Sequence, residues 1–298
     1  MEIRVQAPAT SANLGPGFDC LGLSLDLYNT LTAREDDRLC VEIADGGAFI
    51  PKDSANLVVV AMKRVYDLVG TPFRGAYLRQ KNDIPLSRGL GSSAAAICSG
   101  LVAANALLGE PLDKPVLLRL ATAIEGHPDN VAACLYGGLT AAVAQQGDVR
   151  CSRALPCPRY GYLAMYPDYD LPTRRARAVL PTSYAKADVV FNVGYAVLMH
   201  AALEHGDDAL LRSACQDRLH QPYRRPLMAG WDDVFAQAWA AGALAVFLSG
   251  AGPTILAVYD MSDEGFAARV GQGFARVDLR WQAMPLGCSV MGAGILAD

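Results

Sequence analysis

No two of the eight cysteines stand in a Cys-x-x-Cys pair, and the four histidines (His127, His200, His205, His220) show no metal-binding spacing. A zinc site built on such spacing is therefore excluded, and the cysteines read as free thiols. No Gly-Lys-Ser or Gly-Lys-Thr occurs, which excludes a Walker loop. The most apolar stretch, Ala241 to Val258, is broken by Gly250, Gly252 and Pro253 and cannot span a bilayer. The N-terminal residues Met1 to Pro8 lack an apolar signal region, so a cytoplasmic chain is expected. Basic charge is also scarce. With 26 Lys+Arg against 30 Asp+Glu, the net charge of −4 leaves no footprint for nucleic acid. Neither a nucleic acid nor a membrane is expected as a partner.

What is present is globular. Of the 298 residues, 52% are hydrophobic and 19% charged, enough to bury one large core or two ordinary ones. Residues 2–7 alternate like a strand and run into a turn-rich loop, Pro8 to Asp19. That loop serves as a structural connection on the bland reading, but Asn13 and Asp19 are polar groups able to face a site. Leu21 to Ala33 reads as strand. Asp53-Ser54-Ala55-Asn56 caps a helix through Val58, Met62, Val65 and Leu68 that stops at Gly70, and 75–81 reads as strand. Helices are expected after Ser93, closing at Gly109, and after Asp113, closing at Glu125. Strands are expected at 137–145 and 161–166, joined by a polar connection at 146–159 where the domain boundary falls, giving domains 1–155 and 156–298. Beyond it come a short helix at Pro172–Arg177, a helical region at 192–218, a break at 221–226 and a helix near 232–240. Two strands, 243–248 and 255–259, flank the glycine turn Ser249 to Thr254.

The informative stretch is Pro85-Leu86-Ser87-Arg88-Gly89-Leu90-Gly91-Ser92-Ser93-Ala94-Ala95. Glycines permit a sharp turn and close backbone approach, and the serines open a helix whose first N–H groups lack partners. That is a phosphate cradle in physical terms. Gly89-x-Gly91-x-x-Ala94 loosely matches a dinucleotide turn, but Pro85, Ser87 and Arg88 interrupt the strand such a turn requires. The glycines also lie on the wrong side of Ser92 and Ser93 for a nucleophile elbow. Glu125 poses a separate question. A carboxylate at a helix C-terminus is disfavoured by the dipole, so it is either solvated or paired with a cation.

The cradle resembles the phosphate-binding loop of the GHMP small-molecule kinases. Pro8 to Asp19 resembles that family's N-terminal motif, and Ser249-Gly250-Ala251-Gly252-Pro253-Thr254 its C-terminal glycine motif. The resemblance implies an α+β, two-domain GHMP kinase fold: a half like ribosomal protein S5 domain 2 and a ferredoxin-like half, with ATP between them. It implies nucleotide contacts along Pro85–Ala95 and, more weakly, at Asn56, with Mg²⁺ on Ser93 and Glu125. The forms Pro8–Asp19, Glu125–Val131, Thr173-x-x-x-Arg177 and Pro222-Tyr223-Arg224 are similar to the homoserine-phosphorylating branch. Asn13, Asp19, Asn130, Thr173, Arg177, Arg224 and Gly250 are then expected around L-homoserine, whose phosphorylation serves threonine biosynthesis. Asp19, Asp129 and Asn130 are the catalytic candidates, with orientation ranked above a dedicated base. Arg174 and Arg175 read as an exposed basic face. Mevalonate or a sugar as acceptor, an inactive nucleotide-binding relative, and assembly as a homodimer stay open.

Overall fold

Strand β1 (Glu2–Ala12) pairs antiparallel with the long β2 (Leu21–Glu35). Residues 8–12, expected in a loop, are thus strand. The register shifts between Pro8 and Ala9, where a bulge accommodates a residue that cannot donate to the ladder. The computed structural model describes residues 1–44, 50–276 and 280–297. Next, β3 (Cys40–Ile43), α1 (Leu57–Val69) and β4 (Ala76–Asn82) form a βαβ unit with parallel strands. The predicted cap is there: Asn56 accepts from the Val58 N–H at 2.9 Å, and Gly70 closes α1 at φ 78°.

Helix α2 (Ser92–Leu107) follows the glycine loop and is buried on most sides. It packs on β1, β2, α1, α3 (Lys114–Glu125) and α4 (Asp129–Tyr136). A helix made mostly of apolar and small residues on every face belongs in the interior, and this one anchors the cradle. The edge of β2 opposite β1 is shared by β4 and β5 (Leu139–Gln145). The connection expected at 146–159 mostly disappears, because β6 (Asp148–Ala154) returns antiparallel on β5. Gln146 and Gly147, at φ 52° and 81°, make the two-residue hairpin turn.

The second sheet begins with β7 (Tyr160–Pro167). Five α-helices follow: α5 (Thr173–Ala178), α6 (Lys186–His205), α7 (Asp208–Ala214), α8 (Gln221–Arg224) and α9 (Trp231–Ala240). The helical region expected from 192 starts earlier and is split at Gly206 (φ 77°). The break expected at 221–226 is itself a short helix, because Asp217 accepts the N–H groups of Leu219, His220 and Gln221. Strands β8 (Ala245–Leu248) and β9 (Ile255–Asp260) form the expected hairpin, and α10 (Phe266–Arg276) leads to β10 (Trp281–Leu286). The antiparallel order β10-β7-β9-β8 is the ferredoxin-like arrangement. Finally β11 (Gly294–Ile295) pairs with β1, so the chain returns to the first sheet. No described helix is long and apolar enough to cross a membrane.

Candidate active site

The three glycine-rich motifs meet at one node. The Thr10 N–H donates to the Leu90 carbonyl at 3.0 Å, Gly250 N–H to Ala12 at 3.0 Å and Thr254 N–H to Arg88 at 3.1 Å. Ser249 Oγ donates to the Gly89 carbonyl at 2.6 Å, and the Ser11 and Ser249 hydroxyls lie 2.9 Å apart. A Cβ on Gly89 would sit 2.6 Å from the Ser249 carbonyl oxygen and 2.9 Å from that of Gly252, so only glycine fits there. Gly91 enters α2 at φ 69° and contributes no side-chain cap. The helix N-terminus keeps N–H groups for an anion.

This node borders a cleft of about 730 Å³ that reaches from Asn56, Leu57 and Leu86 to Thr173, Arg177 and Arg224. At one end Leu57 and Leu86 are both 39% exposed, an apolar surface on the cleft wall. Asn56 lines the same wall, but its amide is committed to the protein. Oδ1 accepts from Val58 N–H and from Gln80 Nε2, and Nδ2 donates to the Pro51 carbonyl at 2.7 Å. Within the cradle, Pro85 to Gly89 and Gly91 to Ser93 line the cleft. Leu90, Ala94 and Ala95 bury their side chains in the core, so any ligand contact there falls to the backbone. The Arg88 guanidinium pairs with Asp170 and donates to the Asp168 carbonyl at 3.1 Å, tying the cradle to the segment before α5.

Ser93 and Glu125 come together as expected. The Ser93 hydroxyl donates to Glu125 Oε1 at 2.6 Å, and both residues line the cleft. Glu125 ends α3, where the dipole disfavours it, but it faces the first turn of α2, whose dipole favours a carboxylate. Two hard oxygen-bearing side chains beside the cradle suit Mg²⁺ in donor type.

At the opposite end, Asp19 takes a bidentate ion pair from Arg177, at 2.7 and 3.0 Å. Those hydrogen bonds hold the Arg177 pKa above its usual value, with burial opposing. Asn13 (φ 69°) and Asp19 (φ 52°) are non-glycine residues in the left-handed region, a strained geometry that favours fixed functional loops. Asn13 Nδ2 donates to the Gly250 carbonyl at 2.8 Å, while its Oδ1 accepts from the Asp19 N–H at 2.9 Å. Arg224 is 1% exposed and donates to that same Gly250 carbonyl at 3.0 Å and to Ala176 at 3.2 Å. Burial, then the charge of Arg177, lowers its pKa to about 10. Thr173, Arg174 and Arg175 are exposed, and of these only Thr173 lines the cleft.

Between the two ends lie Asp129 and Asn130. Asp129 is buried, and its Oδ1 accepts from the Asn130 N–H at 2.8 Å and faces His127 Nδ1 at 2.5 Å. Burial lowers the His127 pKa, but the hydrogen bond and charge of Asp129, with the charge of Glu125, outweigh it and the net shift is upward. His127 lines the cleft and was not among the expected site residues. The signal was its place two residues before Asp129 across Pro128, which brings both side chains to the start of α4. Thr10 Oγ1 donates to Asn130 Oδ1 at 2.8 Å, which fixes that amide with Nδ2 as its open donor. Asp19, His127 and Asp129 bring ligand atoms within 4.8 Å of one another. Arg177 offsets the Asp19 charge, which disfavours a metal ion there, while each Asp19 oxygen accepts one bond from Arg177 and keeps a lone pair for a further donor.

The family model "GHMP kinases N terminal domain" matches residues 56–138, and "GHMP kinases C terminal" matches residues 199–275. The chain belongs to the GHMP kinase family, and GHMP kinases use ATP as phosphoryl donor. Among its relatives, the homoserine kinase of Clostridium botulinum (strain Okra / Type B1) is 41% identical over 291 residues, covering 97% of each chain. That of Caldicellulosiruptor bescii is 42% identical over 298 residues, covering 99% of this chain and 97% of that one. The crystal structure of homoserine kinase from Cytophaga hutchinsonii superposes with a TM-score of 0.89 at 30% identity, covering 99% and 97% of the two chains. The Methanococcus jannaschii mevalonate kinase shares the fold at a TM-score of 0.71 and 14% identity, covering 97% and 98%.

Proposed function

We propose that the chain is an ATP-dependent homoserine kinase that converts L-homoserine to O-phospho-L-homoserine, a step serving threonine biosynthesis. The observation that carries this reading is the charge layout at the acceptor end of the cleft. Asp19, braced by Arg177, keeps carboxylate lone pairs for an α-ammonium group, and Arg224, whose hydrogen-bond partners are all neutral, offers its guanidinium to an α-carboxylate, beside a phosphate cradle. Mevalonate brings a carboxylate but no ammonium, and a sugar brings neither. The cleft sits between the first sheet's half, read as 1–155, and the second, read as 156–298, with Asn13 and Asp19 reaching across.

The backbone N–H groups at Ser92 and Ser93 and the α2 dipole would hold the triphosphate, and Leu57 and Leu86 would cover the base. Ser93 and Glu125 would hold Mg²⁺, which when bound offsets charge on the transferring phosphoryl group. Phosphoryl transfer depends mainly on positioning and charge stabilisation. Asn130 Nδ2, fixed through Thr10, orients the acceptor hydroxyl. Asp129 holds His127 through Nδ1 and leaves Nε2 as the nitrogen able to take the hydroxyl proton.

The test is ADP release with L-homoserine, mevalonate and galactose as acceptors. Turnover of homoserine with the other two inert is expected, and turnover of another alcohol but not homoserine overturns the reading. Nucleotide binding without turnover of any acceptor would mark an inactive relative. Glu125→Ala is expected to raise the Mg²⁺ concentration needed for half-maximal rate by tenfold or more, read by metal titration. We also propose that the chain assembles as a homodimer through the outer face of α6. Val190, Val193 and Val197 there are 62%, 63% and 67% exposed, and Gly194 between them leaves open space for a close crossing. No Asp, Glu, Lys or Arg lies between Asp188 and Glu204, so the face carries no formal charge to repel its own copy across a two-fold axis.

A further inference from the structure

His220 is fully buried and does not line the cleft, yet it touches both sides of the acceptor pocket. Its Nε2 lies 2.7 Å from the Gly15 carbonyl oxygen, and its Nδ1 lies 3.1 Å from Arg224 Nη1. A carbonyl can only accept and a guanidinium can only donate. The proton must therefore sit on Nε2, and Nδ1 must present its lone pair. A protonated ring would set an N–H against the Arg224 N–H, so the geometry admits only the neutral tautomer. Burial acts in the same direction and lowers the His220 pKa to about 4, the charge of Asp217 opposing and that of Arg224 adding.

The ring is held from every side. It stacks on Phe18 with centroids 5.2 Å apart and planes 22° from parallel, and the Arg224 guanidinium lies 5.4 Å from the same Phe18 ring. Its backbone N–H donates to Asp217 Oδ2 at 3.0 Å, and Asp217 Oδ1 accepts from Asn192 Nδ2 at 2.6 Å. Asn192 Nδ2 also reaches the Pro16 carbonyl at 3.0 Å. The Asn13–Asp19 loop is thus pinned at Gly15 by His220 and at Pro16 by Asn192, both fixed by one buried carboxylate.

The two arginines of the pocket differ in what their charge already meets. Arg177 is neutralised by a bidentate pair with Asp19. Every hydrogen-bond partner of Arg224 among the described residues is neutral: the Ala176 and Gly250 carbonyls and His220. A neutral acceptor directs the guanidinium without cancelling its charge, whereas a carboxylate in that place would do both.

We propose that His220 is a positioning residue for the acceptor's carboxylate: as a neutral Nε2–H imidazole bridging Gly15 and Arg224, it fixes Arg224 against the Asn13–Asp19 loop and leaves that arginine's charge to the substrate. This rests on the homoserine reading above. The test compares wild type with His220→Phe, which keeps a ring but neither hydrogen bond, and with His220→Asn, whose Oδ1 can replace the Nδ1 acceptor. Both homoserine and 2-amino-1,4-butanediol, the same molecule with its carboxylate reduced to an alcohol, serve as acceptors. His220→Phe is expected to raise the KM for homoserine about tenfold or more, the scale of a lost hydrogen bond to a charged group. Its KM for ATP should stay within about twofold of wild type. Its kcat/KM for the diol should fall several-fold less than that for homoserine, the shared part of the loss coming from the Gly15 bond, and His220→Asn should recover most of the homoserine KM.

Equal losses for homoserine, diol and ATP, or no change in the homoserine KM, overturn the inference. If His220→Phe does not fold, His220→Asn is compared with His220→Gln, which can keep the Gly15 bond but not the Arg224 acceptor. A homoserine KM raised only in His220→Gln is then expected, and equal KM values overturn the inference. A wild-type chain that does not phosphorylate homoserine overturns the reading beneath it, a result distinguishable from all of these.

Discussion

At the scale of single residues, the site divides its polar groups between those held for the substrate and those spent on the protein. Arg224 belongs to the first class: its partners leave its charge uncompensated, and it borders the cleft. Arg224→Ala is expected to cost about 2 kcal/mol of homoserine binding, about a thirtyfold rise in its KM, with the KM for ATP unchanged. Steady-state kinetics in both substrates check this. Asp129 and His127 invite a pH experiment. Asp129 raises the pKa of His127 against the effect of burial. If the neutral ring takes the hydroxyl proton, kcat/KM falls as pH drops through that raised pKa. Asp129→Asn removes the raising influence, burial then prevails, and the acid limb should move to lower pH. An unmoved limb would take this pair out of the rate-governing protonation.

At the scale of elements, α1 and α2 show how one loop type serves two ends. The α2 N-terminus has no side-chain cap and keeps its donors for a ligand, while α1 spends Asn56 on capping. Asn56→Ala should therefore lower stability by about 1–2 kcal/mol, since the cap is lost and Gln80 loses its acceptor. Thermal unfolding is expected to shift down by about 2–4 °C for each kcal/mol, with the KM for ATP nearly unchanged. A large rise in that KM without a shift in Tm would return Asn56 to the nucleotide site. The α3–α2 contact makes a related point. Glu125 is misplaced against its own helix dipole and well placed against that of its neighbour, a fact that exists only once the helices pack.

For the whole molecule, the outer face of α6 is the feature that a lone chain does not explain. Exposed valines repeating along one helix face are expected to be covered. The inner face of the same helix carries Asn192, which holds Pro16 and Asp217, so pairing there would also steady the acceptor loop. Val193→Glu is expected to convert a dimer into a monomer of 31.6 kDa, measured by sedimentation. A wild-type chain that sediments as a monomer at every concentration removes the dimer.

The amino-acid sequence determined the local parts of this protein. The glycine-serine cradle, the cap at Asn56, the stop at Gly70 and the hairpin around Ser249–Thr254 depend on neighbours in the chain, and each was legible. The hairpin at Gln146-Gly147 was not, because its turn residues are an uncommon pair and the alternation of β6 rests on only Val149 and Cys151, both partly buried, among charged and polar residues. The extension of β1 to Ala12 depends on pairing with Leu23 and Gly22, residues beyond the loop. Only the tertiary structure decided which polar groups remain for chemistry. Asn56 and Asn13 look alike as candidates in sequence, but folding commits one amide to a helix cap and sets the other between Gly250 and Asp19. His127 and His220 are equally bare in sequence. One faces the cleft against Asp129, and the other is sealed behind Arg224. Hydrogen-bond partners separated by tens to hundreds of residues are set by packing, and packing is not written in any short stretch of the chain.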